Sequence, residues 1–217
     1  MSALTMRLGV VVDEMFAENA YISHLEDRND CLLFDPSFNT RGILEYLERH
    51  QLTPAAILNT HGHADHISGN SKIKQHWPEL PIVIGTGDAP KLLDAALNLS
   101  RSYGIDITSP AADQLVNDGD TYTGAGFELE VLETPGHSAG HIVFLWKGSS
   151  PWTVFGGDVL FQGSVGRVDF PDGDMNQLAA SIRSKLYTLP DDTVVLPGHG
   201  PPTTVGQEKQ HNPFVSG

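Results

Sequence analysis

The chain has 217 residues, 40% hydrophobic and 18% charged, an ordinary globular balance able to bury a full core. Its 27 acidic and 13 basic residues leave a net charge of −14, a field that repels nucleic-acid phosphates and anionic membrane surfaces, so neither is expected as a partner. The lone cysteine, Cys31, excludes an intrachain disulfide and a structural thiolate site, and its apolar context predicts a buried, inert thiol.

Residues 8–12 are apolar and β-branched and read as a strand, followed by strands at 20–25 and 31–34 with the turn Asp27-Arg28-Asn29-Asp30 before the last. Three short strands in succession predict an antiparallel meander, broken at Asp35-Pro36-Ser37. The period changes over 40–51, where Ile43, Leu44 and Leu47 share one face and Glu45, Glu48 and Arg49 the other, an amphipathic helix. A strand at 55–58 leads to a second helix over 66–77, stopped by Pro78, then a strand at 81–84 and a helix over 88–97 with Pro90 in its first turn. Residues 100–113 read as a loop, 115–120 as a short strand and turn, and 127–132 as a strand. Strands at 141–146 and 152–155 flank a turn at 147–150; a helix over 174–186 and a strand at 193–196 follow. No repeat, low-complexity tract or linker divides the chain, so one domain over 1–217 is expected. Residues 1–12 carry no basic-then-apolar leader, and no apolar stretch reaches membrane-spanning length, so a soluble cytoplasmic protein is expected. Monomer and homodimer stay equally open.

The chemistry concentrates in Thr60-His61-Gly62-His63-Ala64-Asp65-His66, at the end of the strand 55–58. In extended chain His61 and His63 point to the same side. Asp65 and His66 are neighbours where the chain bends into the helix, so they project differently and can serve a second ion. Imidazole and carboxylate suit Zn(II), and also Fe or Mn. Two catalytic sites need about three protein ligands each plus water. Three further donors share one context: His137 after Thr134-Pro135-Gly136, Asp158 after Gly156-Gly157, and His199 after Pro197-Gly198, each just past a strand. Glycine before a ligand permits the tight or left-handed turns that bring backbone close to an ion. One ion would then take His61, His63 and His137, the other Asp65, His66 and His199, with Asp158 bridging. His141 reads either as a group behind a ligand or as a buried residue, and His24, His50, His76 and His211 as surface or packing residues.

With these motifs in this order, the chain resembles the metallo-β-lactamase fold superfamily, and within it the glyoxalase II group, in its short single-domain bacterial form. The resemblance covers most of the chain. It implies an α+β, αββα four-layer sandwich, two mixed sheets flanked by helices, with two divalent metal ions at one edge, zinc first and Fe or Mn as alternatives. It also implies that Arg167, in Gly163-Ser164-Val165-Gly166-Arg167, contacts a glutathione carboxylate; an ordinary ion pair with Asp169 or Asp172 is the other reading. Two departures stand out. No C-terminal helical glutathione-binding domain is expected after His199, and Asp169 replaces the aromatic residue expected after the basic one.

The expected activity is hydrolysis of a small-molecule thioester such as S-D-lactoylglutathione, by water activated between two ions, with Asp65 and Asp158 as the catalytic carboxylates. A water activated in this way needs no separate protein nucleophile. Three alternatives stay open: a persulfide dioxygenase holding one Fe(II) on His61, His137 and Asp158, a lactone or β-lactam hydrolase, and a non-catalytic metal-dependent scaffold.

Overall fold

The computed structural model describes residues 4–217; the start of the leader reading, Met1 to Ala3, lies outside them. The first half of the chain builds β1 (Met6–Val12), β2 (Asn19–Leu25), β3 (Asp30–Phe34), α1 (Thr40–His50), β4 (Thr53–Asn59), α2 (Ala64–Ile67), α3 (Asn70–His76), β5 (Ile82–Gly85) and β6 (Gln114–Val116). These strands form one six-stranded sheet in chain order. The expected meander is there: β1, β2 and β3 pair antiparallel, and pairing turns parallel from β3 to β6.

The second half supplies β7 (Thr121–Gly124), β8 (Phe127–Glu133), β9 (Ile142–Trp146), β10 (Thr153–Gly157), the small ribbon β11 (Leu160–Phe161) with β12 (Ser164–Val165), then α4 (Met175–Ser181), β13 (Val194–Pro197), β14 (Thr203–Thr204) and α5 (Val205–His211). The second six-stranded sheet has the order β14-β13-β10-β9-β8-β7, with β10 and β13 parallel and the other pairs antiparallel.

Three apolar clusters define four layers. Leu32, Phe34, Leu58 and Val83 of the first sheet meet Phe127, Val131, Phe144 and Phe155 of the second in a central core. The outer face of the first sheet, through Ile22, Leu33, Ile57 and Ile82, packs under Ile43 and Leu47 of α1 and Ile73 of α3. The outer face of the second, through Val143, Leu145 and Val154, packs under Leu178 of α4 and Val205 of α5. The inner strands are buried on both faces, which is why they read as unbroken apolar runs rather than as alternating ones. This is the αββα sandwich expected from the motifs.

Several expected elements differ. The helix over 66–77 is two helices, starting at Ala64 and interrupted at Ser68–Gly69, because the Gly69 amide donates to the Pro36 carbonyl (2.8 Å) and a side chain there would strike that carbonyl. The helix over 88–97 shrinks to one 3-10 turn, Ala89–Leu92. Tertiary bonds win there: the Asp88 carboxylate accepts from Gly62 N at 2.8 Å, and the Asn98 amide donates to the carbonyls of Lys91 and Ile107. The loop at 100–113 holds a further 3-10 turn, Ser100–Tyr103. The helix capped by Asp174 keeps its length but widens into a π-turn at Ile182–Leu186. Strand β7, strand β14 and helix α5 carry too few apolar residues for their period to show in the sequence.

Candidate metal centre

Four strand ends converge at one edge of the sandwich. The end of β4 carries His61 and His63 and leads into α2, which presents Asp65 and His66. The loops after β8, β10 and β13 present His137, Asp158 and His199. Two glycines allow this. Gly136 has φ +136°, and a side chain there would overlap the backbone of Leu178; Gly157 has φ +46°, and a side chain there would overlap Thr60.

All seven residues singled out as ligands meet. Ring nitrogens of His61, His63 and His137 lie within 4.8 Å of one another, and so do the donor atoms of Asp65, His66 and His199. Asp158 lies between the two groups. Its Oδ1 is 3.5 Å from His66 Nε2, and its Oδ2 is 3.5 Å from the Nε2 atoms of His137 and His199. Asp65 Oδ2 lies 3.4 Å from His199 Nε2 and 3.8 Å from His66 Nε2.

The hydrogen bonds behind the cluster decide which nitrogen each ring presents. His137 Nδ1 donates to the Arg167 carbonyl (2.8 Å) and His199 Nδ1 to the Phe16 carbonyl (3.1 Å). His66 Nδ1 donates to Asp35 Oδ2 at 3.1 Å. The Thr60 hydroxyl donates to Asp35 Oδ2 at 2.7 Å, so it accepts from His61 Nδ1 at 3.1 Å. Each of these four rings therefore turns an Nε2 lone pair inwards, the arrangement typical of a metal-binding histidine. His63 instead presents Nδ1, which faces His137 Nε2 at 2.9 Å.

Buried polar atoms normally have partners. Here His61 Nε2, His66 Nε2 and Asp158 Oδ1 are buried with no partner among the described residues. Inward lone pairs packed this closely repel one another unless cations lie between them. The donor set thus fits divalent metal ions.

Charge balance agrees. Burial, then the neighbouring imidazoles, hold His61 well below the usual histidine range. Burial and His137 do the same to His63. Burial opposes ionisation of Asp158, yet His66, His137 and His199 outweigh it and keep the carboxyl far below its ordinary value. Burial pulls His66 down, but Asp158, Asp65 and Asp35 raise it well above normal. The pocket thus favours neutral rings at His61 and His63 and an ionised Asp158, with positive charge drawn to the His66 side.

Sequence reasoning missed the carboxylates behind the ligands. Asp35 reads from the sequence as a strand break, although it has the ligands' own signature, an acidic residue just past a strand with proline beside it. Asp88 accepts from Gly62 N, from Gly140 N (2.8 Å) and from the Ser138 hydroxyl, bolting the loop of His61 and His63 to the loop of His137. Lys91 Nζ donates to Asp172 at 2.7 Å on the same bolt. Glu18 is fully buried beside His66, and burial pushes its carboxyl well above the usual range. Nothing in its sequence context signals this. Of the two readings of His141, the group behind a ligand holds: its Nε2 accepts from Asp158 N (3.0 Å), so its Nδ1 donates to the Thr134 hydroxyl (2.8 Å). Arg167 pairs with Asp169, and Asp172 goes to Lys91 instead.

A cavity of about 310 Å³ opens onto the cluster, walled by Phe16, Leu99, Tyr103, Phe161, Arg167 and Phe170 with the ligands at its base.

An αββα sandwich with this His/Asp cluster at its edge defines a metallohydrolase class. Residues 16–199 match the Metallo-beta-lactamase superfamily, and the chain belongs to it. It is 42% identical over 201 residues to a probable metallo-hydrolase, YqgX, of Bacillus subtilis, covering 92% of each chain. It is 35% identical to the hydroxyacylglutathione hydrolase GloC of Haemophilus influenzae, covering 97% of this chain and 99% of GloC. Among solved structures it is similar to the BLEG-1 B3 metallo-beta-lactamase (TM-score 0.90, 38% identity, 98% of this chain and 100% of that one). It is also similar to TTHA1623 in a di-iron-bound form (TM-score 0.83, 36% identity, 95% and 100%). No helix among the described residues is long and apolar enough to cross a membrane.

Proposed function

We propose that the chain is a binuclear metallohydrolase that cleaves thioesters, with S-D-lactoylglutathione as the reference substrate. The observation that carries the reading is the meeting of two complete donor triads on either side of the Asp158 carboxylate. The likeness to GloC supports the thioester, and the mixed imidazole and carboxylate donors accept zinc first, with iron or manganese as alternatives. A pair of bound divalent ions supplies Lewis acidity and lowers the pKa of water towards about 7.

The side chains do the rest. His61, His63 and His137 would hold one ion and Asp65, His66 and His199 the other, with Asp158 Oδ2 near both His137 and His199 and Oδ1 near His66. Asp65 has a carboxylate edge on the cavity side and orients the attacking water. His141 and Thr134 fix the Asp158 backbone. Water's oxygen bonds to the acyl carbon and the carbon–sulfur bond breaks. The thiol sulfur takes one proton, and the new carboxylic acid releases the other to solvent.

The test is metal analysis of purified protein followed by assay with S-D-lactoylglutathione. Two ions per chain and hydrolysis lost on chelation are expected. One iron per chain with oxygen uptake on a persulfide would replace the reading with the dioxygenase. The likeness to BLEG-1 favours a second reading, β-lactam hydrolysis, through the same water chemistry on an amide. Assay of a penicillin and a cephalosporin beside the thioester separates the two.

A further inference from the structure

Arg167 is the one Lys or Arg among the described residues lining the cavity, and it is already engaged. Its Nε and one Nη donate to the two Asp169 oxygens, both at 2.7 Å. Its guanidinium carbon lies 4.4 Å from the centre of the Phe170 ring. Phe170 in turn packs edge-on against His63 and His137, at 5.1 and 5.7 Å between ring centres. The Arg167 carbonyl accepts from His137 Nδ1. The guanidinium is thus linked to the ligand rings through Phe170, and the Arg167 backbone through its own carbonyl.

A bidentate fork holds a carboxylate in a fixed plane. Asp169 occupies one edge of that fork and sets a negative charge beside the guanidinium, with its side chain 67% exposed. The ion pair keeps Asp169 ionised, with its carboxyl held down at about 2. A substrate carboxylate arriving at Arg167 meets a half-used fork and a like charge. The remaining non-ligand wall offers mainly aromatic and aliphatic contact, from Phe16, Leu99, Tyr103, Phe161 and Val165.

We propose that Asp169 is a specificity residue: by occupying Arg167 it makes the pocket favour thioesters whose thiol half carries no carboxylate. This rests on the thioester-hydrolase reading and narrows its substrate class from glutathione conjugates to thioesters of neutral thiols.

The probes are glutathione and its dimethyl ester, which share the thiol and differ in their carboxylates. Their binding to metal-loaded protein is measured by titration calorimetry. Turnover of S-D-lactoylglutathione is compared with that of S-D-lactoyl-N-acetylcysteamine. The wild type is expected to bind the ester at least as tightly as glutathione and to prefer the neutral thioester. In Asp169→Asn the Kd for glutathione should fall about fivefold, the size expected for a freed arginine–carboxylate contact at an exposed site. The KM for lactoylglutathione should fall with it, while the ester and the neutral thioester stay put. Adding Arg167→Gln should abolish the gain. An unchanged ratio of the two Kd values in Asp169→Asn would overturn the proposal. Weaker glutathione binding would do so too, since it would mean that Asp169 aims Arg167 at the substrate. Both residues are exposed, so the variants should fold, and an unchanged melting temperature checks this. If neither thioester turns over while the binding ratio shifts, the thioester reading fails and the masking stands.

Discussion

Asp35 joins the two halves of the metal centre: one of its oxygens accepts from His66 Nδ1 at 3.1 Å and also from the Thr60 hydroxyl, which itself accepts from His61. His61 and His66 belong to different donor triads, so one buried carboxylate sets the orientation of a ligand in each. Asp35→Asn should cut affinity for both ions by roughly 10–100-fold, because the amide cannot accept from His66 with the same charge. Competition against a chromogenic chelator reads both sites. Loss of one ion only, with the other unaffected, would contradict the shared role.

His141 is predicted to matter without touching metal. Replacing it with Leu leaves the buried Asp158 amide without an acceptor, at a cost of about 1–3 kcal/mol. Thermal denaturation of the metal-free protein should register this. His141→Gln, which offers an acceptor of similar reach, should recover part of it.

Metal removal should destabilise the fold. Ions that bind only the native state at a free concentration of about 1,000 times their Kd add about 4 kcal/mol per site. For a chain of this size one such site corresponds to a melting temperature about 10 °C higher. Calorimetric scans before and after chelation test this, and re-addition of zinc, iron or manganese separates the candidate ions.

The central core should be the costliest place to cut. Phe34 stacks on Phe155 across the two sheets, with ring centres 3.6 Å apart and planes 3° from parallel. Phe34→Ala should cost about 3–5 kcal/mol by urea denaturation. Phe214, exposed near the C-terminus, serves as the contrast and should cost little.

Cys31 should be silent in the native protein. Burial pushes its thiol up to about 12. An unfolded thiol ionises near 8.5, so as pH rises from about 8.5 towards that raised value only the unfolded chain releases the proton, and native stability falls across this window. A disulfide dye at pH 8 should find no reactive thiol until denaturant is added, then one equivalent. Rapid native labelling would show that the strand opens.

The candidate ligands could be read from the sequence because each is a His or Asp shortly past a strand, mostly after glycine, a pattern that needs no knowledge of distant contacts. The layered fold followed from the family resemblance that these motifs carry; the apolar runs and one clear helical period agree with it. The helix expected at 88–97 failed because Asp88 and Asn98 bond to other loops, and local periodicity carries no trace of such bonds. The same blindness hid Asp35 and Glu18, whose roles come from strands paired or loops apposed across the molecule.

The sequence by itself determined the donor chemistry, because imidazole and carboxylate at strand ends have few other uses in such a cluster. It also determined which runs are inner strands, because burial on both faces demands unbroken apolar residues. Only the tertiary structure decided which ring nitrogen points into the cluster, since that depends on where Asp35, Thr60 and the carbonyls of Phe16 and Arg167 come to lie. It alone decided that Arg167 pairs with Asp169 rather than Asp172, because Lys91, from a segment far away in the chain, takes Asp172 first.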